Sequence, residues 1–363
     1  MKFGLTLISF GLFNLSFSQS TALVTPLAQD LSEASGLIYL NNNLVTHNDS
    51  GAEAALYEID TLTGEFSRKV IVSNASNNDW EDIANDDTYI YIGDFGNNDG
   101  TRTDLKIYRI LKSDYINTVN DTVQSEIINF NYSDQTSFIS NEFSTNFDAE
   151  AMIAFNDTLY IFTKNWGNYK SNVYSVPNQP GTYSISKIDS LNPQGLVTGA
   201  TYNPMTESLM LCGYQTSFFI FEASGITPPY FSSGNSQKTI LPVQNSFQIE
   251  GITSIGANYY FSAEQNLFGA ASLYRLNHSS TNNLSEKSEW SVKVYPNPCQ
   301  DYLIIETDYK DFEIMIFDST GKVVLRSLNA FIDCSRLSNG IYMIKCVDND
   351  NKTVMITEKF IME

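Results

Sequence analysis

Apolar and polar residues alternate along most of the chain in strand-length runs, and the breaks between runs carry Asn, Asp or Gly. A period of two sends successive side chains to opposite faces of a strand, and the punctuating residues supply turns. The runs fall into groups of four. SGLIYL, NLVTHND, ALYEID and FSRKVIV make the first group. WEDIAND, YIYIGDFG, LKIYRI and SEIINFNY make the second, and AEAMIAFND, TLYIFTKN, SNVYSVP and TYSISKID the third. VTGATYNP, SLMLCGY, SFFIFEA and KTILPV follow as the fourth. The fifth group, EGITSIGA, NYYFSAEQ and ASLYRLN, lacks a last strand, and a spare strand at residues 22–28 is expected to fill its place.

Each group opens on a shared start: Ser35-Gly36-Leu37, Glu81-Asp82-Ile83, Glu150-Ala151-Met152, Thr198-Gly199-Ala200 and Glu250-Gly251-Ile252. The spacing is close to the roughly 40–50 residues of a propeller blade. One interval is longer, and insertions at 112–120 and 134–146 account for it. Four-stranded repeats close into rings because a ring hides sheet edges. The expectation is an all-β chain with a five-bladed β-propeller over residues 19–278. A six-bladed ring, its extra blade hidden in the long interval, is the alternative. An irregular β-sandwich would not explain the shared start.

The two ends read differently. Residues 1–18 have the form of an export signal: Lys2, an apolar run, then Ser16-Phe17-Ser18 with small residues before a cleavage point. That run is too short and too polar to span a bilayer, and no other stretch is suitable. Residues 279–291 are polar and unpatterned, a linker. Residues 292–363 hold short alternating runs and a hairpin turn at Gly321, which predict a small β-sandwich of about seven strands.

Charge narrows the function. A net charge of -20 repels nucleic acid and anionic lipid. Cys212 lies in an apolar run. Any disulfide would be drawn from Cys299, Cys334 and Cys346, with no sequence reason to prefer one pairing. No cysteine or histidine spacing suggests zinc.

The first strand of a propeller blade lines the central channel, so the repeat starts bring their acids to one mouth. Glu33, Asp79, Glu81, Asp148, Glu150 and Glu250 are expected there. The ends of the second strands add His47, Asp49, Asp94, Asn97, Asn98 and Glu264. Asp79, Glu81, Asp94, Asn97 and Asn98 form the densest oxygen-donor set and are the candidate metal ligands. Calcium suits them because it takes six to eight oxygens in flexible geometry. The remaining acids and His47 are candidate ligand-binding groups. A purely structural role, capping backbone amides between blades, competes for every one of these acids. Asp82 and Asp86 read as turn residues, and Trp80 and Trp166 as packing residues. No nucleophile elbow, phosphate-binding loop, zinc-protease motif or dinucleotide fingerprint is present.

The final domain resembles the C-terminal sorting domain, type A, of type IX secretion cargo. The matching residues are Val294-Tyr295-Pro296-Asn297-Pro298, Leu303-Ile304-Ile305, Ile316-Phe317-Asp318, Gly321-Lys322-Val323, Leu337, Asn339-Gly340-Ile341-Tyr342 and Lys359-Phe360. The resemblance implies export through the periplasm to the outer surface or the medium. It implies a translocon and a sorting peptidase as partners, removal of the tail near the linker, and attachment to surface lipopolysaccharide as one fate. The repeat region is loosely similar to calcium-dependent propellers of the phytase-like and esterase-like phytase group, on its acidic mouth and its Ser35-Gly36-Leu37 start. It departs from them in blade count and in its few basic residues: Arg102, Lys106, Lys164 and Lys170. Two functions are carried forward. One is binding of a ligand or partner at a calcium-loaded mouth. The other is hydrolysis of a phosphoester or glycoside by the same acids.

Overall fold

A computed structural model describes residues 20–61, 63–140, 142–241, 248–265, 269–277, 293–306, 312–318, 323–348 and 354–362. The export-signal and linker readings and the Gly321 turn lie outside these residues. The chain is all-β and divides into two compact units, Met1–Ser280 and Thr281–Glu363.

Five sheets make up the first unit. Sheet I runs Ala34–Leu40, Asn43–Asn48, Ala55–Ile59 and Phe66–Val72. Sheet II runs Trp80–Asn85, Tyr89–Asp94, Lys106–Leu111 and Glu126–Tyr132. Sheet III holds Ala149–Phe155, Thr158–Thr163, Ser171–Pro177 and Lys187–Leu191. Sheet IV holds Leu196–Asn203, Ser208–Tyr214, Phe218–Ser224 and Asn235–Ile240. Sheet V has Ile249–Ile255, Asn258–Ala263 and Ser272–Asn277, and Ser20–Pro26 completes it, antiparallel to Ser272–Asn277.

Two features differ from the sequence expectation. TYSISKID is two strands, not one. Lys187–Leu191 stays with sheet III, whereas Gly181–Ile185 crosses to run parallel to Glu126–Tyr132 of sheet II. The long interval also sends Thr122–Val123 back to the edge of sheet I, parallel to Phe66–Val72. Each added strand covers an open edge with unpaired N–H and C=O groups. The same interval carries the short helix Lys112–Asn117.

Both faces of the inner strands of these sheets are buried, and alternation sorts their side chains between neighbours. Ile90 and Ile92 join Ile38, Leu56 and Val70 in a core between sheets I and II. Tyr91 points the other way and joins Met152, Ile161 and Tyr174 between II and III. Phe162 and Val173 meet Leu209 and Phe219 between III and IV. Met210 and Ile220 meet Ile252 and Phe261 between IV and V. Leu273 of sheet V then packs with Leu37, Leu44 and Tyr57 of sheet I. Apolar cores thus link the sheets pairwise, in an order that returns to its start.

The second unit contains a three-stranded sheet, Lys293–Tyr295, Tyr302–Glu306 and Phe331–Asp333, and a four-stranded sheet, Phe312–Phe317, Val323–Ser327, Gly340–Asp348 and Val354–Met362. Leu303, Ile314, Ile344 and Phe360 form its core together with the free thiols of Cys299 and Cys334. Among the sorting-motif residues, Asn297 accepts the Ile361 N–H at 3.0 Å. Tyr342 donates to Ser338 O at 2.9 Å and stacks on Phe360. Tyr295, which Pro296 follows, is half exposed, Pro298 follows Asn297, Gly340 opens one long strand, and Lys359 lies in the last.

Candidate functional site

The shared start of each repeat has a structural meaning. The first strands of the five sheets lie side by side, and each carries a register shift at the shared position. In four of them the residue skipped by the pairing is Glu81, Glu150, Thr198 or Glu250. A bulge turns the extra side chain away from the pleat, which is how three glutamates come to point to one place. The small residue that follows lets the strands approach. A Cβ on Gly36 would lie 2.7 Å from Ile83 N, and one on Gly251 would lie 2.7 Å from the Gly36 carbonyl carbon. Hydroxyls bind the strands together. Ser35 Oγ donates to Glu81 O at 2.5 Å, and Thr198 Oγ1 donates to Ile249 O.

Asp82 corrects the sequence reading: it is no turn residue. It is fully buried within Trp80–Asn85, where Oδ1 accepts the Ile83 N–H at 2.8 Å and Oδ2 accepts the Met152 N–H at 2.7 Å. Asp86 does sit in a turn, accepting the N–H groups of Thr88 and Tyr89.

At the mouth, a recess of about 180 Å³ is lined by Asp49, Glu81, Glu150, Glu250, Lys164, Tyr214, Gln248, Asn98, Phe143 and Trp166. Carboxylate oxygens of Asp49, Asp79 and Glu81 lie within 4.8 Å of one another, and so do those of Glu81, Asp148 and Glu150. The one buried cation is Lys164, among the described residues that line the recess; its Nζ is 3.0 Å from Glu150 Oε1. Trp166 Nε1 donates to Asp148 Oδ2 at 2.8 Å, and the Asn97 N–H donates to Asp148 Oδ1 at 2.6 Å. Gln248 Nε2 bridges Glu250 at 2.8 Å and Glu264 at 3.3 Å.

Burial dominates the electrostatics. It pushes Glu81 well above the ordinary carboxylate range, and Glu150, Asp49 and Asp79 add repulsion. Glu150 is likewise raised by burial, against the pull of Lys164. Burial brings Asp79 and Glu250 to about 7 and Glu264 to about 9. Asp148 and Asp49 rise for the same reason. Burial opposes the charge on Lys164, but Glu150 and Glu250 override it and hold the ammonium well above its usual value. The mouth therefore retains protons that a bound cation would displace.

The side chains of several sequence candidates are engaged outside the two carboxylate clusters. The Asp94 carboxylate is engaged by Arg102 at 2.9 Å, which removes it from both oxygen clusters. Asn97 uses its Oδ1 to accept the Arg102 N–H at 2.9 Å and its Nδ2 to reach Phe147 O. Glu33 is exposed, and its backbone carbonyl accepts the Asp49 N–H. His47 is fully buried against Trp80, with Nδ1 3.0 Å from Asn48 O and Nε2 without a partner among the described residues. Burial lowers its pKa to about 4, so it is neutral. Trp80 is core, as expected, whereas Trp166 lines the recess. Lys164 and Tyr214 were legible as ends of second strands but carried no acidic signal. Phe143 belongs to the insertion at 134–146, where no repeat pattern marks it.

Residues 293–363 match the family model described as the secretion system C-terminal sorting domain. No curated protein matches the sequence. Two solved structures are similar in outline. PorZ, a bacterial surface component of the type-IX secretion system of Porphyromonas gingivalis, is 13% identical with a TM-score of 0.35, over 91% of this chain and 45% of its own. The chain thus spans less than half the length of PorZ. An exo-β-1,3-galactanase of Phanerochaete chrysosporium is 10% identical with a TM-score of 0.44, over 95% of this chain and 99% of its own. Similarities of this size assign no activity. The sorting-domain match does carry weight, because it coincides with the second unit and with the motif from Tyr295 to Lys359. The chain is a cargo of type IX secretion, exported through the periplasm to the cell surface or beyond.

Proposed function

We propose that the first unit is a five-bladed β-propeller whose acidic mouth binds calcium and, with it, a ligand or protein partner outside the cell. The five sheets, the adjoining first strands and the pairwise cores support the ring. The shared edge between Ser20–Pro26 and Ser272–Asn277 supports closure by the two ends of the unit. In this reading residues 1–18 are the export signal and residues 279–291 the linker, where the sorting peptidase frees the propeller for release or for attachment to lipopolysaccharide.

One observation carries the calcium reading: carboxylate oxygens from separate sheets gather within 4.8 Å. Two ligands of one calcium ion, each at roughly 2.3–2.6 Å, stand no farther apart than about 5 Å. The donor set fits a hard cation, since every member is an oxygen and a recess lies beside it. The test is thermal unfolding with and without calcium. Calcium should raise the melting temperature, and a chelator should cancel the rise; an unchanged melting temperature refutes the reading.

Hydrolysis is the second reading, favoured by Glu250, whose pKa of about 7 suits proton transfer at neutral pH. Turnover of a glycoside or phosphoester that Glu250→Gln abolishes, with folding intact, would establish it.

A further inference from the structure

We infer that Cys299 and Cys334 are oxidised to a disulfide during export, and that this bond locks the sorting domain in its folded form. It concerns the second unit alone and owes nothing to the cation-binding mouth.

The fold brings the two thiols together. Tyr302 pairs with Asp333, so Cys299 and Cys334 lie just beyond the same end of one antiparallel ladder. Backbone hydrogen bonds hold them there. The Cys334 N–H donates to Asp301 O at 2.8 Å, and the Cys299 N–H donates to Ile361 O at 2.8 Å. Both side chains are buried in the core of the unit. The Cys334 S–H donates to the Cys299 sulfur. The Cys299 S–H donates in turn to Met362 Sδ at 3.1 Å.

The compartment supplies the chemistry. Export takes the chain through the periplasm, an oxidising space where adjacent thiols pair. The co-reactant is a protein oxidant that carries a disulfide. One thiolate of the pair attacks that disulfide, forms a mixed bond and expels one thiolate of the oxidant. The other attacks the mixed bond and expels the second. The chain gives up two protons and two electrons, and the oxidant leaves as a dithiol. Burial raises both thiols, Cys334 to about 11, so neither is reactive once the domain has folded. The bond therefore closes as the domain folds. It encloses Tyr302–Glu306, Phe312–Phe317, Val323–Ser327 and Phe331–Asp333 in one loop. A cross-link over a loop of this length strongly restricts the unfolded chain.

The test uses the full chain, exported in a host that lacks the type IX translocon so that the tail stays attached. Peptide mapping without reductant should find the Cys299 and Cys334 peptides joined and lighter by two hydrogens. Reductant should lower the melting temperature of the second unit by roughly 10 °C or more. The double variant with Cys299→Ser and Cys334→Ser should melt at the reduced temperature and ignore reductant. The map is read on the unaltered chain, so it decides the pairing even where the variant fails to fold. Recovery of both residues as thiols, or of either one joined to Cys212 or Cys346, overturns the inference. A joined pair whose reduction leaves melting unchanged overturns the lock.

Discussion

The Asp82 carboxylate reaches from one first strand to the next and accepts the Met152 N–H at 2.7 Å, while its other oxygen accepts the Ile83 N–H at 2.8 Å. Burial raises its pKa well above the ordinary range, and the backbone donors pull in the opposite direction. Its work is to satisfy amides where two sheets meet. Asp82→Ala orphans those donors at about 1–3 kcal/mol each. Chemical denaturation should rank wild type above Asp82→Asn, which keeps one acceptor, and Asp82→Asn above Asp82→Ala. An alanine variant as stable as wild type would remove Asp82 from this role.

The mouth should make stability depend on pH in an unusual direction. Asp79 and Glu250 titrate near 7 and Glu264 near 9 in the folded chain, against ordinary values of 3.8 for Asp and 4.5 for Glu. Between those limits the folded state keeps protons that the unfolded chain has already released, so its stability falls as pH rises. In chelator, the melting temperature should be higher at pH 5 than at pH 8. Calcium should restore it at pH 8 and do little at pH 5. A curve that is flat or rises with pH would contradict this assignment.

Close strand approach at the shared starts can be tested without touching an acid. A Cβ at position 251 would lie 2.7 Å from both the Gly36 carbonyl carbon and Ser262 Oγ. Gly251→Ala should therefore cost about 1–3 kcal/mol through overpacking. Denaturant midpoints read this directly, and a neutral substitution would mean that the two strands can part freely.

Export should depend on the tail. Removing residues 292–363 should leave the first unit in the periplasm, as fractionation and immunoblotting would show. A truncated chain found outside the cell in normal amounts would break the link between the sorting domain and export.

Strand runs, the spare N-terminal strand and the sorting motif were legible because each depends on local chemistry: alternation, turn residues or a fixed string such as Tyr295-Pro296-Asn297-Pro298. The gathering of Asp79, Glu81, Asp148, Glu150 and Glu250 was legible because repetition aligns equivalent positions. What escaped depends on partners distant in sequence. Gly181–Ile185 looks like any strand, and nothing in it names sheet II as its neighbour. Asp82 resembles a turn acid until Met152 is placed beside it. Lys164 is one basic residue among few, and only the fold sets it against Glu150 and Glu250. Asp94 was drawn into the oxygen-rich set because its pairing with Arg102 crosses a loop that the repeat pattern does not describe.

The pairing of Ser20 with Asn277 brings the first and last described residues of the first unit to a single seam. If the proposed export signal and sorting tail are both removed, the two cuts fall on either side of that seam, and the same ladder limits how far either can trespass. Loss of a few residues past Ser20 removes an edge strand, and loss of a few before Asn277 removes the strand it leans on. Because the ends already lie together, joining them with a short linker and opening the chain at a distant turn should preserve the fold. Such a permuted chain would separate the demands of folding from those of the proposed trimming, which would otherwise fall on the same few residues.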